Sequence, residues 1–276
     1  MNITVAIILV LIIINIAVSY RGFKSPAFTN AYIFRVRPVL ITKDYKRLLT
    51  SGFLHINWLH VIVNMLSLYF FSGLAAVYFG WAQFLIIYFT GLAGGNLLAL
   101  CIHRNHGDYS SVGASGAVCG IIFSSIAVLP GLQIGLLGLP IPAWFYGLAY
   151  VGYAIYGVRS NKTNIGHEAH LGGALIGLTV ALIFHPDAFV INAPVILLIA
   201  LPVILFIVLI IVRPSAVMVN NNYYNTHNNY YNIDHKYNAQ KLSRQQEVDL
   251  ILDKINKKGI NSLSKKERQI LQQHAQ

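Results

Sequence analysis

Four polar residues stand in stretches that are otherwise apolar: His60, Asn64, Ser115 and His170. His60 and Asn64 are four apart, so on a helix they share a face. Ser115 lies in Gly113-Ala114-Ser115-Gly116, and His170 in Ala169-His170-Leu171-Gly172-Gly173. A serine hydroxyl attacks a carbonyl only when a base takes its proton, and neutral imidazole suits that task near pH 7. The oxyanion formed then needs hydrogen-bond donors. The side chains of His60 and Asn64, with the backbone around Ala114 and Ser115 at a helix start, could supply them. These residue types predict acyl transfer by a Ser–His dyad. Glu168 is two residues from His170 and points elsewhere on a helix, so no triad is expected.

The chain that carries them is not composed like a soluble globule. Of its 276 residues, 56 % are hydrophobic and 11 % charged, whereas an average soluble domain carries roughly 25 % charge. Too little polar surface remains to cover a core of this size. An all-α, polytopic membrane helix bundle is expected. A soluble Rossmann-type enzyme, a disulfide-stapled secreted domain and a disordered binder are all disfavoured. Cys101 and Cys119 lie in or beside apolar stretches and make no disulfide framework. The formal net charge of +11 does not require nucleic acid as a partner. In membrane proteins Lys and Arg mark the loops that stay in the cytoplasm.

A span needs about 20 apolar residues. Seven stretches qualify: residues 3–20, 54–79, 81–102, 112–129, 142–158, 169–184 and 190–212. The first has no basic leader and no small-residue cleavage site, so it reads as a retained span (1–20) rather than a signal peptide. Residues 21–52 form a basic loop with interspersed aromatics, as an interfacial structure would. Residues 213–240 form an Asn/Tyr-rich linker. Within 241–276, Val248, Ile251, Leu252 and Ile255 recur at helical spacing, and Ser264 with Glu267 makes a capping box. A small helical element is expected there, with a possible protein partner.

With seven spans, all 20 Lys and Arg fall on one side of the membrane. The charge rule turns that side, with the tail, toward the cytoplasm. Spans two, four and six all start there, so His60, Asn64, Ser115 and His170 lie at one shallow depth. Gly116 with Gly120, and Gly173 with Gly177, make small-residue faces that let two helices approach closely. If those faces meet, Ser115 and His170 become neighbours.

Other chemistries fit less well. The motif around Ser115 is not the G-x-S-x-G elbow of soluble hydrolases, because Gly116 follows the serine directly and no strand precedes it. A metal-binding membrane transporter is the first alternative. His167-Glu168-Ala169-His170 lacks the i, i+4 histidine spacing of a zinc helix, and the spans hold essentially no carboxylates. A non-catalytic membrane scaffold, acting through its tail, is the second. His103 and His106 are expected to be solvated in a loop.

Three separated motifs in one order resemble the rhomboid intramembrane serine proteases, over roughly residues 40–185. The segment from His55 to Asn64 is similar to the family's second-span motif. The resemblance makes His60 and Asn64 oxyanion donors and His55 a structural histidine. Gly113-Ala114-Ser115-Gly116 matches the family's G-x-S-G, which implies Ser115 as nucleophile. Ala169 to Gly173 with Gly177 matches the sixth-span motif, which implies His170 as base. Arg47 falls where the family's first loop has a Trp-Arg pair, with Lys46 in the Trp position. The aromatic that the family often places four residues after the nucleophile, against the catalytic histidine, is Cys119 here. The segment from Leu139 to Arg159 also looks like rhomboids with a seventh, C-terminal span. The resemblance implies a six-span core plus that span, in a bacterial inner membrane. It implies cleavage of transmembrane or juxtamembrane segments, with no metal or organic cofactor. Bacterial relatives carry the active site near the extracytoplasmic face, opposite to the side the charge count indicates.

Overall fold

The computed structural model describes residues 3–105, 107–136, 139–160 and 165–213, with isolated positions at 251, 254, 255 and 264. The expected 213–240 linker and 241–276 helical element, and His106, lie outside the described residues apart from those positions.

The first apolar stretch forms α1 (Ile3–Lys24), which ends on Arg21 and Lys24. The basic loop after it is structured. Ser25 accepts a hydrogen bond from the Phe28 amide and Pro26 takes the first helical position, starting α2 (Pro26–Tyr32). Then follow β1 (Phe34–Arg35), α3 (Val36–Ile41), α4 (Arg47–Thr50) and a 3-10 turn, Ser51–Phe53. Arg47 organises this loop, donating to the carbonyls of Asn30 and Ile33 and to the Asp44 carboxylate.

Expected spans two and three form one helical element, α5 (Trp58–Ile102), interrupted at Gly80. Gly80 has φ 68°, a conformation glycine adopts without the usual penalty. The second half returns to the level from which the first departs: Asn96 donates to the Leu48 carbonyl and to Ser51 Oγ. The chain then runs through β2 (Ser110–Ser111), paired antiparallel with β1, into α6 (Ser115–Val128), so a two-residue strand does precede Ser115, contrary to the sequence reading. Every α6 residue after Ser115 is buried, as expected of a helix that is apolar all round. The Gly- and Pro-rich connector forms a hairpin of β3 (Gln133–Leu136) and β4 (Leu139–Pro142). It leads to α7 (Ala143–Ser160), α8 (His167–Phe184) and α9 (Asp187–Val212). Asn192 of α9 donates to the Ala127 carbonyl, satisfying an acceptor at the end of α6.

All seven expected apolar stretches are helical. Among the described residues, four helices are long and apolar enough by themselves to cross a membrane: α1, Tyr78–Ile102, α8 and α9. A fifth crossing is available if Arg47–Phe53 and Trp58–Gly73, which meet at 98°, count as one broken span. The fourth expected span is shorter than the sequence suggested. Its helix starts at Ser115 rather than Val112 and holds 14 residues. Gly113, at φ 132°, breaks the backbone just before it.

Helices α5, α6 and α8 form the centre, and they touch through backbone rather than side chains. A Cβ on Gly91 would lie 3.2 Å from Gly120 Cα, and one on Gly172 would lie 2.9 Å from Gly95 Cα. A Cβ on Gly173 would collide with the Gly116 carbonyl, and one on Gly177 with the Gly120 carbonyl. The two glycine pairs read from the sequence thus face each other across α6 and α8. This is the small-residue contact that lets membrane helices associate without a hydrophobic driving force.

Candidate active site

Ser115 is the first residue of α6, and His170 lies one turn into α8. The glycine contacts between these helices bring Ser115 Oγ to 2.7 Å from His170 Nε2. The α6 N-terminus adds a local field. The first amides of a helix have no intrahelical acceptor, and the helix dipole makes that end attractive to negative charge. The first bond at this terminus runs from the Val118 amide to the Ala114 carbonyl. Gly113 holds the approach, with its amide on the Ser51 carbonyl.

His60 lies beside this pair. A Cβ on Gly113 would be 2.9 Å from His60 Cε1 and 3.7 Å from Ser115 Oγ. Glycine is therefore required at 113 twice, by its φ and by the imidazole in its side-chain space. The Ile56 amide makes a long contact of 3.5 Å with His60 Nδ1, which favours the proton on Nε2. His55 meets His60 edge-on at 4.9 Å and is held by Ser19 Oγ at 2.8 Å from its Nδ1. Asn57 caps α5 by accepting from the His60 amide. Asn64, one turn after His60, spends one amide hydrogen on the His60 carbonyl at 3.0 Å. Arg47 stands apart from the pair and holds the first loop.

Two features differ from the sequence reading or were missed by it. His103 is buried rather than solvated: its Nε2 is 3.0 Å from Glu168 Oε1, and its ring stacks on Tyr109 at 3.7 Å. The reason is Glu168, which is buried and draws a donor from across the helix interface. Glu168 spends its oxygens on His103 and on the Tyr109 hydroxyl, which lies 3.5 Å from Oε2. The group on the other nitrogen of His170 is Tyr150, whose hydroxyl lies 2.9 Å from Nδ1 and 3.1 Å from Cys119 Sγ. Tyr150 belongs to a tyrosine-rich span. Its one signal in the sequence was Cys119, a small residue where a large one is usual. Among the described residues, no group of three or more His, Cys, Asp or Glu is disposed to hold a metal ion.

A closely packed helix trio with a Ser–His contact at one end, among helices apolar enough to span a bilayer, defines an integral, multi-pass membrane protein built around a polar site. The comparisons with known proteins assign the class. Residues 42–187 match the Rhomboid domain model, more than half of the chain, and residues 231–276 match a Family of unknown function (DUF6576). The chain belongs to the rhomboid family. It is 34 % identical over 146 residues to RHOMBOID-like protein 12, mitochondrial, of Arabidopsis thaliana, covering 47 % of this chain and 43 % of that protein. It is 29 % identical over 174 residues to Rhomboid protein 1, mitochondrial, of Saccharomyces cerevisiae, covering 60 % and 49 %. Rhomboid-like protein 11, chloroplastic, of Arabidopsis thaliana is 30 % identical over 187 residues, covering 62 % of each chain. The match thus spans about half the length of the first two relatives. All three are organellar by name, so they lend no support to a bacterial inner membrane.

Proposed function

We propose that the protein is an intramembrane serine endopeptidase that cleaves transmembrane or juxtamembrane segments of other membrane proteins. The observation that carries this reading is the 2.7 Å contact between Ser115 Oγ and His170 Nε2 at the α6 N-terminus. Ser115 Oγ attacks the scissile carbonyl carbon as its proton passes to His170 Nε2. The resulting oxyanion is received by the amides at the start of α6 and by His60 and Asn64. Collapse breaks the C–N bond, and His170 gives its proton to the leaving nitrogen. Water then attacks the acyl ester, losing a proton to His170, and Ser115 leaves with that proton. His55 supports His60, and Gly113, Gly116, Gly173 and Gly177 set the backbone spacing. The substrate helix must unwind locally, because a helical amide is shielded by its own turn.

The basic face of the bundle is the site face. Arg21 and Lys24 end α1 and Arg159 ends α7, on the side where α6 and α8 begin. By the charge rule that face is cytoplasmic, and a compartment-sensitive reporter fused to the C-terminus tests it. An extracytoplasmic tail reverses this orientation and leaves the chemistry unchanged.

The test of activity is cleavage of a single-span model substrate by the purified full chain, beside Ser115→Ala and His170→Ala. Both variants are expected to lose cleavage by at least about a thousandfold, while exhaustive chelation leaves the wild-type rate unchanged. Residual wild-type activity in either variant overturns the dyad.

A further inference from the structure

We infer that Tyr150 is the positioning residue of the base, standing where a triad has its carboxylate, and that Cys119 sets the direction of its hydroxyl. The inference rests on the protease reading above and deepens it. For Nε2 of neutral His170 to accept the Ser115 proton, the ring's own proton must sit on Nδ1. That tautomer needs an acceptor at Nδ1. In a Ser-His-Asp triad the acceptor is a carboxylate. Glu168 cannot serve, being bonded to His103. The group in place is the Tyr150 phenol oxygen at 2.9 Å.

A phenol can donate or accept, and only accepting gives the productive tautomer. If Tyr150 donated to Nδ1, the ring proton would sit on Nε2 and point at Ser115. The second partner offers the phenolic hydrogen an acceptor. Cys119 Sγ lies 3.1 Å from the Tyr150 hydroxyl. With the phenolic hydrogen directed at the sulfur, the phenol oxygen is left to accept from Nδ1–H. The chain then runs Ser115 O–H to Nε2, Nδ1–H to Tyr150, and Tyr150 O–H to Cys119, with one proton on each link.

The phenol is seated by its neighbours. Its ring meets Phe123 at 6.0 Å and Tyr146 at 6.1 Å. It does not stack on His170, since the centroids are 6.0 Å apart and tilted by 36°. The contact is a hydrogen bond, not a packing surface. The small Cys119 side chain, four residues after the nucleophile, leaves room for a tyrosine arriving from α7.

Tyr150→Phe keeps the ring and removes the oxygen. We expect kcat on the model substrate to fall about 10- to 100-fold, the interval known for losing the second-nitrogen partner of a metal-binding histidine, with KM unchanged. Cys119→Ala should give a smaller fall, and Cys119→Ser, which keeps an acceptor, should retain the wild-type rate. Tyr150→Phe/Cys119→Ala should be no slower than Tyr150→Phe alone, because the sulfur acts only through the phenol. Nitrogen-15 NMR of histidine-labelled protein reads the tautomer directly, with His170 assigned by its loss in His170→Ala. Wild type should show the proton on Nδ1, and Tyr150→Phe a mixture. Tyr150→Phe with the wild-type kcat and tautomer, in a wild-type chain that cleaves, overturns this inference alone. A wild-type chain that cleaves nothing overturns the protease reading and, with it, this one.

Discussion

Helices α6 and α7 both reach the same histidine, and they are built in opposite ways. α6 is buried on every side after Ser115 and meets α5 and α8 through glycine backbones. α7 meets its neighbours through side chains. Gly147 lies against Ile126 and Ile199 side chains, Gly157 against the His167 ring, and Gly152 against nothing within 4 Å. Phe145, Tyr153 and Tyr156 of α7 are exposed. The difference separates two tasks. Backbone contact has no rotamers to shift, so it fixes the Ser115–His170 spacing. Side-chain contact is adjustable, and it supplies the partner that orients the histidine ring.

The sharpest way to break that contrast is to put side chains into each kind of contact. Gly173→Ala places a methyl against the Gly116 carbonyl. No flexible side chain can yield there, so α6 and α8 must separate. We expect a loss of about 1–3 kcal/mol of stability from overpacking. Cleavage should fall further than stability does, because the same contact sets the Ser115–His170 distance. Thermal unfolding in detergent, with cleavage measured well below the midpoint, checks both. A Gly173→Ala protein with wild-type stability and activity would show that the backbone contact does not set the site.

This contrast also explains what could be read from the chain. The spans, the facing glycine pairs and the level shared by Ser115, His170 and His60 follow from local pattern and alternating topology. A four-residue glycine spacing has one physical use in lipid, so it was legible. The true start of α6 was not, because the span pattern of apolar residues continues through Val112 while Gly113 takes a left-handed φ. The Glu168–His103 pair and the Tyr150–His170 contact were hidden for another reason. Each joins residues from different spans, and which tyrosine of Tyr146, Tyr150, Tyr153 and Tyr156 faces the site depends on the rotation of α7. No periodicity in the chain fixes that rotation.

A middle-sized effect is expected in the first loop, where Arg47 and Lys46 are adjacent and unequal. Arg47 is nearly buried and joins Asp44 to the carbonyls of Asn30 and Ile33. Lys46 reaches Asp44 at 3.6 Å with 62 % of its side chain exposed. Arg47→Ala removes the donor to two carbonyls and leaves Asp44 only its Lys46 contact, a loss of about 1.5–3 kcal/mol. Lys46→Ala removes a surface pair of about 0–1 kcal/mol. Limited proteolysis between Pro26 and Thr50 should rise sharply for Arg47→Ala and hardly at all for Lys46→Ala. Equal protection in both would mean the loop is held by its apolar contacts instead.

The smallest effect has the opposite sign and is the other half of the contrast. Gly152 sits mid-helix in α7 with open space where its Cβ would be. Gly152→Ala therefore meets no neighbour and relieves the backbone entropy that glycine carries into a helix, about 0.5–1 kcal/mol. The midpoint should rise by about 2 °C, and cleavage should not change. The substitution adds the same methyl group as Gly173→Ala and stands on a helix that also contributes to the site. Opposite signs for the two would show that the surroundings of the glycine, not the glycine itself, decide the outcome. A loss at Gly152→Ala comparable to that at Gly173→Ala would mean that α7 has a backbone contact of its own, and the division of tasks between the two helices would fail.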